Sequence, residues 1–571
     1  MSRAAQGLVR LPVWRARVVL IALVAGFAVL GGRAVYLQAV RMDFLQEKGD
    51  ARYSRVIEIA ATRGRIVDRN GEALAVSTPV KSVWAIPGDV DAAGSERRKL
   101  AALLSLSRPE LEKKLSDSSK DFVYLKRQLP PETTAAVQAL GLKGIHDHPE
   151  YRRYYPGGEV TAHVIGFTGV DDAGQEGVEL AHQALLGGKP GSRRVIRDRL
   201  GRIVEDVESI RSGQHGTDLA LSIDSKIQSL AFGALKTAVE RHRAKAGAII
   251  AVDVRTGEIL ALANMPSYNP NNRARLTGAQ LRNRVITDLF EPGSTLKPFT
   301  VALALETGKV SASSVVHTGP GRLTLANYTI RDLHPAASQS VGQVLARSSN
   351  VGAAKIALAL PREAMWDFYR RVGFGAAPEL GFPGAAAGKL RHYKTWRPIE
   401  QATMGYGHGL SLSLAQLARA YTVFARDGEL VPLTLVKTGA AVSGEKVLSA
   451  EAARAVRAML ELAVQPGATG PRARIMGWRV AGKTGTAHKQ ENGGYAPDKY
   501  LSSFVGFAPV SAPRLVIAVM IDEPSAGQHY GGAVAAPVFA QVMQGALRLL
   551  GVPHDAPLEL PGEGEEAKES T

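Results

Sequence analysis

Apolar and polar positions divide the chain into stretches of different texture. Val18 to Gly32 is an unbroken apolar run, and from Val18 to Val40 the only strongly polar residues are Arg33 and Gln38. As a helix rising ~1.5 Å per residue, the window spans roughly 34 Å and the unbroken part roughly 22 Å. That crosses a bilayer if Arg33 snorkels to the outer interface. Residues 41–220 are charged, and their short strand-like pieces are broken by Asn70-Gly71, Pro156-Gly157-Gly158 and Gly187-Gly188. This predicts an irregular α+β region. Leu219 to Ile223 alternates as a short strand would, and Asp224 can cap a helix after it.

From Gly247 the pattern changes. Ala248 to Val252 and Ile259 to Ala263 are apolar strands around Asp253-Val-Arg-Thr-Gly257, a hairpin signal. Ala/Leu-rich helical patterning follows Gly293 and runs to about residue 463. Ser502 to Ala508 and Leu515 to Ile521 read as paired strands, and Pro537 to Leu550 as a closing helix with Pro in its first turn. Strands, then many helices, then strands predict an α+β domain, an antiparallel sheet covered by helices.

With 571 residues, the chain is too long for one ordinary core. The expected organisation is a cytoplasmic tail (1–17), a transmembrane anchor (18–40), an irregular α+β domain (41–222), a domain with a helix-covered sheet (223–553) and an acidic tail (554–571). Arg3, Arg10, Arg15 and Arg17 precede the apolar run and no acid does, which places the N-terminus inside. No clear small-residue cleavage site follows the run, so an uncleaved anchor is expected rather than a signal peptide. Hydrophobic residues make up 45% and charged residues 22%, which excludes a largely disordered chain. The absence of Cys excludes disulfides, thiol catalysis and Cys-ligated metals. The net charge of +17 suits an anionic lipid or polymer, and a solvated basic surface accounts for it equally well. No nucleic-acid module stands out, and no metal-ligand spacing appears in 41–220.

Ser294-Thr-Leu-Lys297 carries the first candidate chemistry. On a helix beginning near Ser294 the two side chains share a face. A serine becomes a nucleophile when a base takes its proton, and a buried lysine can be that base. The motif alone is weak: ~1–2 chance matches are expected in such a chain, and Ser443-Gly-Glu-Lys446 is one. Ser348-Ser349-Asn350 supplies a hydroxyl to relay a proton and an amide to hold Lys297 and a substrate carbonyl, with a decoy at Ser267-Tyr-Asn269. Lys483-Thr484-Gly485-Thr486 supplies a cation and two hydroxyls for a carboxylate on an edge strand, with Gly485 leaving room for substrate backbone. Its decoy is Lys437-Thr-Gly439. Only Ser294 is followed by S-x-N and then K-T-G, the order of the serine acyltransferase set.

Phe290-Glu-Pro-Gly-Ser-Thr-Leu-Lys-Pro298, Ser348-Ser-Asn-Val-Gly352 and Ala481-Gly-Lys-Thr-Gly-Thr-Ala487 resemble the active-site motifs of class B penicillin-binding proteins. Arg63-Gly-Arg-Ile-Val-Asp-Arg-Asn-Gly71, Arg153-Tyr-Tyr-Pro156 and Gly174-Gln-Glu-Gly177 resemble the signatures of that family's pedestal. Met404-Gly-Tyr-Gly-His-Gly409, Leu414-Ala-Gln-Leu417, Ile521-Asp-Glu-Pro524 and Tyr530-Gly-Gly532 resemble its division-specific FtsI branch, although an aromatic is more usual at His408.

The resemblance implies a septal peptidoglycan D,D-transpeptidase that needs no cofactor or metal. Ser294 would attack the D-Ala–D-Ala carbonyl of a stem peptide with Lys297 as base. Ser348 and Lys483 would complete the proton and charge network, Asn350 would orient the substrate amide, and Thr484 and Thr486 would bind the terminal carboxylate. The backbone N–H groups of Ser294 and Thr486 would form the oxyanion hole. Implied partners are stem peptides on nascent glycan strands, β-lactams as inhibitors, and, at the bacterial inner membrane, a glycan polymerase of the SEDS type with other divisome proteins. The alternatives are a glycosyltransferase-bearing bifunctional enzyme, a carboxypeptidase or β-lactamase on the same fold, and a non-catalytic division scaffold.

Overall fold

The computed structural model describes residues 12–42, 54–59, 61–197, 203–491 and 494–558. The tail acids Glu559, Glu563, Glu565, Glu566 and Glu569 lie outside the described residues, as do Arg3 and Arg10. Contacts divide the chain into two units, one drawn from residues 1–61 and 188–215, the other from 62–187 and 216–571. The expected pedestal, 41–222, therefore contributes to both.

In the first unit, helix α1 (Val13–Val35) continues into a π-helical turn, Tyr36–Val40. None of its side chains is buried. A helix of this length, apolar on every face from Val18 to Gly32, fits a membrane span. The Arg33 guanidinium lies 5.6 Å from the centre of the Tyr36 ring, an arrangement suited to a helix end at an interface. The same unit holds a three-stranded antiparallel sheet with Gly191–Arg197 between Ser54–Ile59 and Ile203–Arg211.

The second unit begins with the rest of the pedestal. Ala73–Ala85 pairs antiparallel with Val123–Leu129 and Ile145–Tyr154. The Glu179 carboxylate, fully buried, accepts Arg63 Nε at 2.6 Å and Arg153 Nε at 2.7 Å. The remaining guanidinium nitrogens are satisfied by Gln183 Oε1, Ser77 Oγ and the carbonyls of Gly64, Asp172 and Glu179. Two arginines on one buried carboxylate tie distant parts of the chain, which explains why the pedestal signatures carry these residues.

The junction is shorter and more shared than the sequence suggests. Only Leu219–Ala220 is strand, parallel to Ile66–Val67; Leu221 still donates its N–H to Val67 O and also bridges Val436, and Ser222 Oγ donates to the carbonyls of Ile259 and Thr434. Asp224 caps helix α2 (Ser225–Arg241) as expected, accepting the backbone N–H groups of Lys226 and Ile227.

The main sheet has five antiparallel strands: β1 (Ala246–Asp253), β2 (Ile259–Met265), β3 (Ala481–Glu491), β4 (Gly494–Ala508) and β5 (Leu515–Asp522). Their order is β2-β1-β5-β4-β3, so β3 is an edge. Every residue of β1 and β5 is buried, which is why these strands read as continuous apolar runs. Alternation still sorts their faces. Ile249, Ala251, Ile517 and Val519 pack with α2 and with the closing helix, Ala536–Leu549. Ala248, Ile250, Val516 and Ala518 join the larger core with Leu296, Phe299 and Val301. Burial of each large side chain there contributes ~1.5–3 kcal/mol. After the closing helix the chain stays attached: Asp555 accepts Arg479 N and Ser511 Oγ, and Ala556 N donates to Gly477 O. Pro557 O likewise accepts Gly477 N at 3.0 Å.

Candidate active site

Ser294 lies in a 3₁₀ turn, Gly293–Leu296, that runs directly into helix α3 (Lys297–Glu306). Gly293 adopts φ +53°, and a Cβ on the neighbouring Gly407 would stand 2.1 Å from Gly293 O. Tyr421 donates its hydroxyl to Thr295 O at 2.8 Å, fixing the turn from below. The turn aims Ser294 and Lys297 into one groove. Lys297 is wholly buried, and its Nζ stands 3.0 Å from Ser294 Oγ.

The Ser348-Ser349-Asn350 element meets them from the N-terminus of helix α4 (Asn350–Leu358). Lys297 Nζ lies 2.6 Å from Ser348 O, 3.1 Å from Ser348 Oγ and 2.7 Å from Asn350 Oδ1. Ser348 Oγ donates to Ser294 Oγ at 2.9 Å. Ser348 is held at φ +59°, a strained conformation for a residue with a Cβ. Burial, followed by the charge of Lys483, holds the Lys297 amine well below the ordinary lysine range, while Asp332 opposes the fall. A neutral amine at that distance is placed to accept a proton from the Ser294 hydroxyl.

The third element forms the edge strand β3, as expected. Lys483 is wholly buried, and burial brings its amine down to about 7. Its hydrogen bonds do not go to Ser348. They run to Thr469 Oγ1 at 3.4 Å, Thr484 Oγ1 at 3.2 Å and Thr484 O at 3.3 Å. Thr484 Oγ1 also donates to Thr469 Oγ1 at 3.0 Å. Lys483 thus reaches Lys297 through its field and not through Ser348. Thr469 was invisible to motif reading, since a lone Thr before a helix-to-strand connection carries no signal. Thr486 Oγ1 accepts Gly531 N at 3.0 Å.

Gly485 packs closely against two neighbours. A Cβ there would stand 2.3 Å from Ser503 Oγ and 3.0 Å from Pro292 O. Its missing side chain lets β3 lie against the turn that carries Ser294. Asn350 is also partly committed, because its Nδ2 donates to Arg331 O at 3.1 Å.

His408, a departure from the resembling motif, joins a cluster beside the Ser294 turn. Glu291 accepts Gly409 N at 2.8 Å, Gln490 Nε2 at 3.0 Å and Tyr495 Oη at 2.9 Å. Its carboxyl is raised by burial, and His408 Nδ1 lies 3.8 Å away. Burial, with the charge of Lys297, depresses His408 to about 4, so the ring is neutral near pH 7. The decoys lie elsewhere. Ser443, Lys446 and Lys437 are exposed, and Ser267 Oγ donates to Glu159 O.

The chain is similar to known proteins. Residues 247–544 match the penicillin binding protein transpeptidase domain family, and residues 58–221 the penicillin-binding protein dimerisation domain family. The chain is 44% identical over 544 residues to the probable peptidoglycan D,D-transpeptidase PenA of Neisseria gonorrhoeae, covering 95% of this chain and 93% of that one. It is 43% identical over 549 residues to the peptidoglycan D,D-transpeptidase FtsI of Escherichia coli K12, with the same coverage. The TP domain of penicillin-binding protein 3 from Burkholderia pseudomallei superposes with a TM-score of 0.55 at 51% identity, covering 59% of this chain and 98% of that structure.

Proposed function

Because the chain belongs to the penicillin-binding transpeptidases, the family of PenA and FtsI, we propose that Ser294 is the residue through which it acts. The chain is a serine-type peptidoglycan D,D-transpeptidase that takes stem peptides as substrate and binds β-lactams. The observation that carries the assignment of its site is the 3.0 Å contact between a wholly buried Lys297 and Ser294.

In this reading Lys297, neutral through burial, takes the Ser294 proton as Oγ attacks the penultimate D-Ala carbonyl. The N-terminus of α3 and the backbone N–H groups of Ser294 and Thr486 stabilise the oxyanion, each such donor supporting ~10²–10³ in rate. Lys483 with Thr484 and Thr486 holds the terminal carboxylate. Asn350 orients the donor amide. Ser348, hydrogen-bonded to Ser294, passes the proton towards the departing D-Ala amine. An amine of a neighbouring stem then attacks the acyl-enzyme, which regenerates Ser294. The domain limits follow the same reading: anchor 18–40, pedestal 41–222 and transpeptidase 223–553.

Helix α1 fits a single-pass anchor. The arginines before it support an inside N-terminus and a periplasmic catalytic domain at the septum. Arg33 within the apolar window supports docking to a polytopic polymerase of the SEDS type. If Arg33→Leu leaves co-purification with the polymerase and septal recruitment unchanged, Arg33 is only an interface anchor. The reaction itself is tested by incubating the full chain with nascent pentapeptide strands. Penicillin-sensitive release of D-Ala together with cross-linked dimers supports transpeptidation. Release of D-Ala without dimers would make the chain a carboxypeptidase.

A further inference from the structure

Asp332 follows the strand Tyr328–Arg331 and belongs to none of the three motifs. Its carboxylate receives Ser349 Oγ at 2.6 Å and Val351 N at 2.9 Å, one oxygen to each. The residue before it supplies the carbonyl that holds Asn350 Nδ2 at 3.1 Å. Asp332 is itself anchored by its backbone N–H to Gly321 O at 3.0 Å. The Ser348–Asn350 turn needs such an anchor. Ser348 sits in the left-handed region, a conformation costing ~1–3 kcal/mol that persists only where the surroundings impose it. Ser349 caps α4 by accepting Gly352 N at 2.8 Å, and Asp332 holds that cap from the other side.

The charge of Asp332 matters as well as its bonds. Every hydrogen-bond partner of Lys297 named above is a neutral oxygen. The charged and titratable groups around it are Lys483 from β3, His408 from the loop before Gly409, and Asp332. His408 is neutral at working pH, so two groups of opposite sign act on the Lys297 amine.

We propose that Asp332 is a positioning residue of the transpeptidation site, one that locks the strained Ser348–Asn350 turn onto Lys297 and balances the charge of Lys483 there. The proposal rests on the reading of Ser294 and Lys297 given above. The negative charge favours the protonated amine, so Asp332 delays the point at which Lys297 becomes free to act as a base as pH rises. Removal of that charge frees the base at lower pH.

The test is the second-order acylation rate constant of the full chain in detergent, measured with a fluorescent penicillin across pH. Asp332→Asn keeps the shape, with Oδ1 accepting Val351 N and Nδ2 donating to Ser349 Oγ in a reversed bond, but loses the charge, and its rising limb is expected at lower pH than wild type. Asp332→Ala is expected to move the limb the same way and to lower the plateau by at least roughly tenfold, since both hydrogen bonds to the charged group are lost. Ser349→Ala loses the bond and keeps the charge, so its plateau falls while its limb stays. A wild-type limb in Asp332→Asn would overturn the proposal, as would a limb in Ser349→Ala that moves equally far. Should Asp332→Ala not fold, the Asn and Ser349 variants decide the matter. Wild type that takes up no penicillin would remove the underlying reading and this inference together. Wild-type acylation with an unmoved Asp332→Asn limb would remove this inference alone.

Discussion

Lys297 Nζ lies 3.0 Å from Ser294 Oγ, at the end of a side chain with no solvent exposure. An amine in that position is costly to keep charged, and the same cost makes it a base near neutral pH. Replacement of Lys297 by Ala is expected to lower the acylation rate ~10²–10⁴-fold, the usual worth of a general base. The melting temperature should not fall with it, since the substitution removes a buried ionisable group. Stopped-flow acylation and thermal unfolding of the same samples check both halves.

The two buried lysines make the pH dependence of acylation two-sided. Lys297 must be neutral to accept a proton, so the rate rises as it deprotonates. Lys483 must be charged to hold a carboxylate, and in the free enzyme that charge is lost as pH rises through about 7. The second-order acylation constant should therefore fall above that pH. At saturating β-lactam the bound carboxylate keeps Lys483 protonated, so the first-order step should lack the falling limb until higher pH. Identical falling limbs in both constants would exclude Lys483 as their source.

Gly485→Ala places a methyl group 2.3 Å from Ser503 Oγ and 3.0 Å from Pro292 O. Crowding of this kind costs ~1–3 kcal/mol and pushes β3 away from the Ser294 turn. Acylation should drop with stability. Adding Ser503→Ala removes the nearest clashing atom and should restore part of both. A single variant that acylates at the wild-type rate would show that the strand and the turn are not packed as described.

Glu179 is the anion shared by Arg63 and Arg153. Glu179→Ala leaves two buried guanidinium groups without it, a loss of ~3–5 kcal/mol. Limited proteolysis should then cut the pedestal strands first, at temperatures where Ser294 still acylates. Simultaneous loss of pedestal and acylation would make the pedestal and the transpeptidase region one cooperative unit.

The site was legible in the sequence to the extent that its chemistry lies in contiguous motifs. Ser294, Lys297, Ser348, Asn350, Lys483, Thr484 and Thr486 converge because each motif occupies an element end or an edge strand, positions that turn and strand signals mark. The continuous apolar runs of β1 and β5 likewise announced strands buried on both faces. What remained hidden depends on contacts between distant segments. Thr469 and Asp332 act through single side chains in stretches with no periodicity or motif. The use of Gly485 follows from the position of Pro292 and Ser503, which no spacing rule encodes. The partners that Leu221 and Ser222 take at Val436 and Ile259 are likewise far off in sequence and carry no local signal.

The central claim is that Ser294 is the acylated nucleophile, and intact-mass measurement after penicillin treatment tests it most directly. Wild type and Ser443→Ala should each gain one adduct per chain, and Ser294→Ala none. The slow loss of that adduct would separate a transpeptidase from a β-lactamase. An adduct that survives in Ser294→Ala, or none in folded wild type, would contradict the account.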